Sequence, residues 1–182
     1  VGYGATAPDG YDAHNHYGRH MALDSGDIEA HIQAFTGAFA ARVGGVMPAY
    51  NVPPEQLHVQ GCAGPVERVA PGFNRQLLQG VLRGRFAFDG VVLSDWHITD
   101  DCSDVCKFGA PPGQQPGPSD IAMPWGVEHL TRPERFAKAI EAGVDQFGGV
   151  NDPEVIVGLV QSGRLAEAAL RRPTTDLARA LD

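Results

Sequence analysis

Asp95 stands at the end of the run Val91-Val92-Leu93-Ser94-Asp95-Trp96. Three bulky apolar residues deliver the chain straight into a carboxylate. A carboxylate beside such groups loses hydration in its charged form, so it needs a compensating partner or a chemical role. On local grounds alone, the simplest reading is an aspartate that caps the next element after a buried strand. Asp95 is therefore the residue to explain.

Other candidate groups are fewer. His14, His16 and His20 form the one histidine cluster, and imidazoles spaced by two and four residues can bind a metal. No carboxylate or cysteine with ligand spacing stands beside them, so no metal is expected. His97, Cys102 and Cys106 lack a fourth ligand for structural zinc. Cys102 and Cys106 are close enough to pair, leaving Cys62 over, but two free thiols fit the spacing as well. Asp100, Asp101 and Asp104 read as a solvated loop, because the spacing and glycine of an EF-hand are missing.

The 182 residues are 43% apolar and 20% charged, which fits a globular protein with an ordinary core. Net charge is −8 and the 14 Lys and Arg are scattered, so the basic footprint of a nucleic-acid partner is missing. No apolar run reaches the roughly 20 residues of a membrane span, and the first residues do not read as a signal peptide. Neither nucleic acid nor membrane is an expected partner. Glycine and proline gather at residues 1–18, 44–72 and 109–126, and long loops in a compact protein usually serve a site.

The elements that must hold Asp95 follow from periodicity. Asp24 and Ser25 offer a cap before one amphipathic helix with Ile28, Ile32, Phe35 and Phe39 on a face, ending at Gly44-Gly45. "VMPAY" reads as a short buried strand ending in Tyr50 and Asn51. Asn74 caps a helix carrying Leu77, Leu78, Val81 and Leu82, and Gly90 opens the buried strand that ends at Asp95. Pro133 starts a further helix, "VDQF" is a third strand, and Asp152-Pro153 begin another helix. The tail has helical spacing broken at Pro173. Alternating helices and strands argue for an α/β protein with a parallel sheet. Strands that end in polar residues before long loops suit part of a (β/α)8 TIM barrel, its C-terminal half, with a doubly wound sheet as the alternative. Such barrels take about 250 residues, so residues 1–182 are expected to be a fragment.

"LLQGVLRGRFAFDGVVLSDW" resembles the segment around the catalytic nucleophile of family 3 glycoside hydrolases, the β-glucosidase and exo-glucosidase family. "GVMPAYN" is similar to the family strand before that segment, and "VGYGA" to the sequence after the family's Lys-His pair. "GQQPG", "DIAMPWG" and "EAGVDQFGG" resemble the loop and strand that follow. The resemblance covers most of residues 1–165, and implies that the front of the barrel and a second α/β domain lie outside this chain.

By that resemblance Asp95 is the nucleophile of a retaining double displacement on β-linked glucosides, and no cofactor is implied. In such enzymes two groups flank the scissile bond about 5–5.5 Å apart. Trp96 would offer a stacking face to a pyranose, Tyr50 would donate toward the nucleophile, and Arg19 would reach sugar hydroxyls. A subset of the family, the N-acetylglucosaminidases, takes its acid/base from a histidine in an Asp-x-His loop. "DAH" matches that loop loosely, so His14 is expected to be a loop or pocket residue and the acid/base to lie outside this chain. A secreted or periplasmic location is favoured over a cytoplasmic one. A non-catalytic or degenerate carbohydrate-binding protein is the rival, and a metal-dependent α/β hydrolase built on the histidines is a third reading.

Overall fold

A computed structural model describes residues 7–23, 25–117 and 120–170. The expected Asp24 cap, the "VGYGA" segment and most of the tail helix lie outside the described residues. Three strands form a parallel sheet in the order β1 (Gly45–Val46), β2 (Val91–Trp96), β3 (Gln146–Gly148). β2 sits centrally, with Gly45 opposite Val91 and Val46 opposite Val92 on one side. On the other, Leu93 lies opposite Gln146 and Trp96 opposite Gly148, with an irregularity between. The α/β class and parallel pairing agree with the sequence.

Two expectations are corrected. The first helix is two: α1 (Ser25–Gln33) and α2 (Thr36–Ala40). Thr36 turns its hydroxyl back onto the Gln33 carbonyl at 2.8 Å, a local bond that competes with continuing the helix. Ile28 and Ile32 are buried as expected, whereas Phe35 and Phe39 stack on each other and Phe39 reaches Phe86. The strand read over "VMPAY" is limited to Gly45–Val46, because Pro48 has no N–H for a ladder and Met47 turns half-exposed. Tyr50 and Asn51 still arrive beyond its carboxyl end, both fully buried.

The crossover between β1 and β2 ends in a π-helix (Gln76–Arg85), closed for example by Phe86 N–H to the Val81 carbonyl. Asn74 caps it through Leu77 N–H at 3.0 Å. α3 (Asp104–Phe108) follows β2; α4 (Arg132–Ala142) leads into β3 behind a Thr131–Glu134 capping box, and α5 (Pro153–Gln161) follows it. Val92, Val144, Val127, Phe73 and Trp125 build the main core around β2. The buried carboxylate of Asp145 accepts from Arg83 and from Val92 N–H, each at 2.7 Å, and so locks β3, the π-helix and β2 together. Cys102 and Cys106 form a disulfide, and Cys62 is free.

Candidate active site

The carboxyl end of β2 is held both before and after Asp95. Ser94 accepts from Gly148 N–H at 3.0 Å, and a Cβ on Gly148 would come 2.8 Å from both the Ser94 carbonyl and the Trp96 ring. Only glycine allows β3 that close. His97 then takes a left-handed conformation (φ 55°), which turns the chain sharply after Trp96. Its ring meets Asp100 at 2.9 Å, and Arg132 binds the other oxygen of Asp100 at 2.8 Å.

Arg135, almost wholly buried, donates to the carbonyls of Thr99, Asp100, Val127 and Glu128 and to the Asp101 carboxylate. Asp100 is thus not simply a solvated loop residue: it and Asp101 are the anionic partners of two arginines from α4, while Asp101 and Asp104 keep the exposed setting expected of them, Asp104 lying 3.7 Å from Lys107. The loop after Asp95 is fixed as a unit.

Asp95 itself is nearly buried and opens onto a cavity of about 260 Å³. Its neighbours there are His14, Tyr50 and an apolar wall that includes Phe35, Phe39 and Leu82. One carboxylate oxygen accepts from Trp96 N–H at 2.8 Å. Tyr50 donates to the Trp96 carbonyl at 2.7 Å. Burial first, then the charge of Asp95 and a hydrogen bond to it, push the Tyr50 phenol far above its usual range, so it remains a donor.

His14, expected as a loop or pocket residue, lines this cavity. Its Nε2 lies 3.9 Å from an Asp95 oxygen, its Nδ1 lies 2.5 Å from Asp12, and its ring sits edge-on to Tyr50 at 5.1 Å. Burial works against the charged form of Asp12, but the His14 N–H and ring outweigh it and hold the carboxyl below its usual range. The signal was present in "DAH".

The other candidates sit differently. The Trp96 indole is 46% exposed beside Gly148 and Gly149, outside the cavity wall. Arg19 is tied to Glu128, which also accepts from Gly126 N–H, and it does not line the cavity. His16 contacts the Cys106 carbonyl at 3.4 Å, while His20 stays exposed with its pKa lowered by burial and by Arg19 and Arg68. Among the described residues no three His, Cys, Asp or Glu side chains converge, and no helix is long and apolar enough to cross a membrane.

No family model matches the chain. Over 170 residues, 93% of its length, it is 51% identical to a periplasmic beta-glucosidase/beta-xylosidase of Dickeya chrysanthemi, and it spans 25% of that protein. A probable beta-glucosidase C of Aspergillus flavus is 35% identical over 164 residues, 90% of this chain and 23% of its own length. Among solved structures, a glycoside hydrolase family 3 beta-N-acetylglucosaminidase from a Paenibacillus species superposes with a TM-score of 0.58. That match covers 87% of this chain and 26% of the other at 20% identity, which speaks to the fold alone. The chain therefore spans about a quarter of the relatives it matches.

Proposed function

We propose that this chain, a family 3 glycoside hydrolase by its homology to β-glucosidases over nine-tenths of its length, is the later part of the N-terminal (β/α)8 catalytic domain of a retaining β-glucosidase. The observation that carries the reading is Asp95 at the carboxyl end of the central strand, opening onto a cavity opposite His14. Strand ends of that kind are where barrel enzymes hold their reacting groups. The front of the barrel and a second domain would complete the site, and a secreted or periplasmic setting agrees with the name of the Dickeya relative.

In the first displacement an Asp95 oxygen attacks the anomeric carbon from the face opposite the leaving group. The glycosidic C–O bond breaks as the ester to Asp95 forms, and the leaving oxygen takes a proton. Water then attacks the same carbon, the ester bond breaks, and Asp95 returns as the carboxylate. Two inversions give net retention. Tyr50, kept protonated, orients the Asp95 loop, and His14, its ring fixed by Asp12, would deliver and recover the proton once a bound sugar has opened its 3.9 Å approach to Asp95 toward the about 5–5.5 Å of such pairs. Trp96, half-exposed beside Asp95, would stack on a pyranose, while Arg19, paired with Glu128 outside the cavity lining, would have to leave that pair to reach sugar hydroxyls.

The test is to follow hydrolysis of an aryl β-glucoside by proton NMR in the full-length protein that carries this chain. The first product anomer is expected to be β. An α first product would mean inversion, and binding without turnover would favour a carbohydrate-binding protein.

A further inference from the structure

The turn that follows Asp95 is made by a residue other than glycine. His97 takes φ 55°, a left-handed conformation that is costly for a residue with a Cβ and persists only where the surroundings over-determine it. Among the described residues Asp9, Arg42, Gln56 and Ala87 share that conformation, but all four are exposed, whereas His97 is part-buried two residues from Asp95. Its imidazole is gripped on both edges. Nδ1 lies 2.9 Å from one oxygen of Asp100, whose other oxygen accepts from Arg132 at 2.8 Å, and Arg132 in turn donates to Asp152 at 2.6 Å. On the opposite edge the end of β3 closes in: a Cβ on Gly149 would lie 2.8 Å from His97 Nε2 and 2.7 Å from Trp96 Cδ1. A line of polar contacts thus runs from the turn to the first residue of α4 and the residue before α5.

What the turn controls is the direction of one N–H. Trp96 N–H donates to Asp95 Oδ1 at 2.8 Å, and Asp95 Oδ2 is the oxygen that faces His14 at 3.9 Å. The next peptide is pinned at both ends, its carbonyl by Tyr50 and its N–H, that of His97, by the Gly148 carbonyl at 3.1 Å. Arg135 fixes the loop beyond through the Thr99 and Asp100 carbonyls, so relaxation of the turn would fall on the Trp96 side and swing its N–H off Asp95. We propose that His97 is a positioning residue for the nucleophile: clasped to Asp100, its imidazole holds the turn that keeps Trp96 N–H on one Asp95 oxygen and leaves the other free to attack. This deepens the proposed function and rests on Asp95 being the attacking group. A carboxylate fixed in one orientation begins its attack from the productive geometry, and a misplacement of about 1 Å there costs about 10²-fold in rate.

The experiment follows labelling of Asp95 in the full-length protein carrying this chain, with 2,4-dinitrophenyl 2-deoxy-2-fluoro-β-D-glucopyranoside as probe, and separates the rate constant of covalent labelling from the binding constant of the reagent. His97→Gly, which allows the turn but removes the clasp, is expected to lower the rate constant about 10- to 100-fold and to change the binding constant less than about 3-fold. Asp100→Ala should do the same, and the double change should cost no more than either alone, because both remove one interaction. His97→Asn, which tolerates the turn and keeps a side-chain donor for Asp100, should recover most of the rate. A lowered melting temperature with an unchanged rate constant, or additive losses in the double variant, would overturn the positioning role. If the unaltered protein takes no label, or takes it elsewhere than Asp95, the proposed function falls, and amide hydrogen exchange decides the clasp alone: faster exchange of Trp96 N–H in His97→Gly sustains it, and unchanged exchange overturns it.

Discussion

His14 Nε2 lies 3.9 Å from a carboxylate oxygen of Asp95, although one comes from a loop and the other from the end of β2, far apart in the chain, and Asp12 fixes the imidazole from behind. This places a group with a transferable proton opposite a nearly buried carboxylate. It also makes the role of His14 open to direct measurement.

If His14 delivers the proton, its loss should depend on the leaving group. His14→Ala is expected to slow hydrolysis of a β-glucoside with a poor leaving group by about 10²- to 10⁴-fold. A dinitrophenyl β-glucoside, whose leaving group needs no proton, should be affected far less. Rates measured on the two substrates decide the matter: an equal loss on both would make His14 a structural residue and return the acid/base to a region outside this chain.

How far the site was legible depended on what each residue interacts with. Asp95 was visible because a buried apolar run and its surrounding motif both end on it. Helices α4 and α5 were visible from Pro133 and from Asp152-Pro153, since caps act within one turn. The His14–Asp95 approach was not, because a loop without periodicity carries His14 across the fold. Arg135 was equally hidden. An arginine in the first turns of an amphipathic helix reads as solvent-facing, and only the loops it binds reveal that it is buried. The short β1 shows the opposite error, where an apolar pattern suggested five strand residues and Pro48 ended the pairing after two.

Glu29 should make stability depend on pH. Burial raises its carboxyl, but the Gln60 N–H and Arg85 guanidinium outweigh that and leave it below the usual range. A depressed folded value means the contribution is present above the unfolded value, about 4.3, and is lost as pH falls through the folded one. Melting curves from pH 6 down to pH 3 are expected to fall less steeply for Glu29→Gln than for the unaltered protein. Parallel curves would show that the pair adds no stability.

The 182-residue chain on its own should associate. Among the described residues β1 and β3 each pair along one edge only, and the cavity at Asp95 has an apolar wall that further strands would cover in a barrel. Open edges and exposed apolar surface favour contacts between copies. Light scattering of the isolated chain is expected to show species larger than a monomer, with no appreciable aryl β-glucosidase activity. A cooperative, monomeric, active chain would contradict the partial-barrel reading.

The central claim is that Asp95 attacks the anomeric carbon. Incubating the full-length protein with 2,4-dinitrophenyl 2-deoxy-2-fluoro-β-D-glucopyranoside should leave one fluoroglucosyl group bound as an ester. Peptide mass spectrometry is expected to place it on Asp95, and Asp95→Asn should remain unlabelled. A label on any other carboxylate, or undiminished labelling of Asp95→Asn, would contradict the assignment.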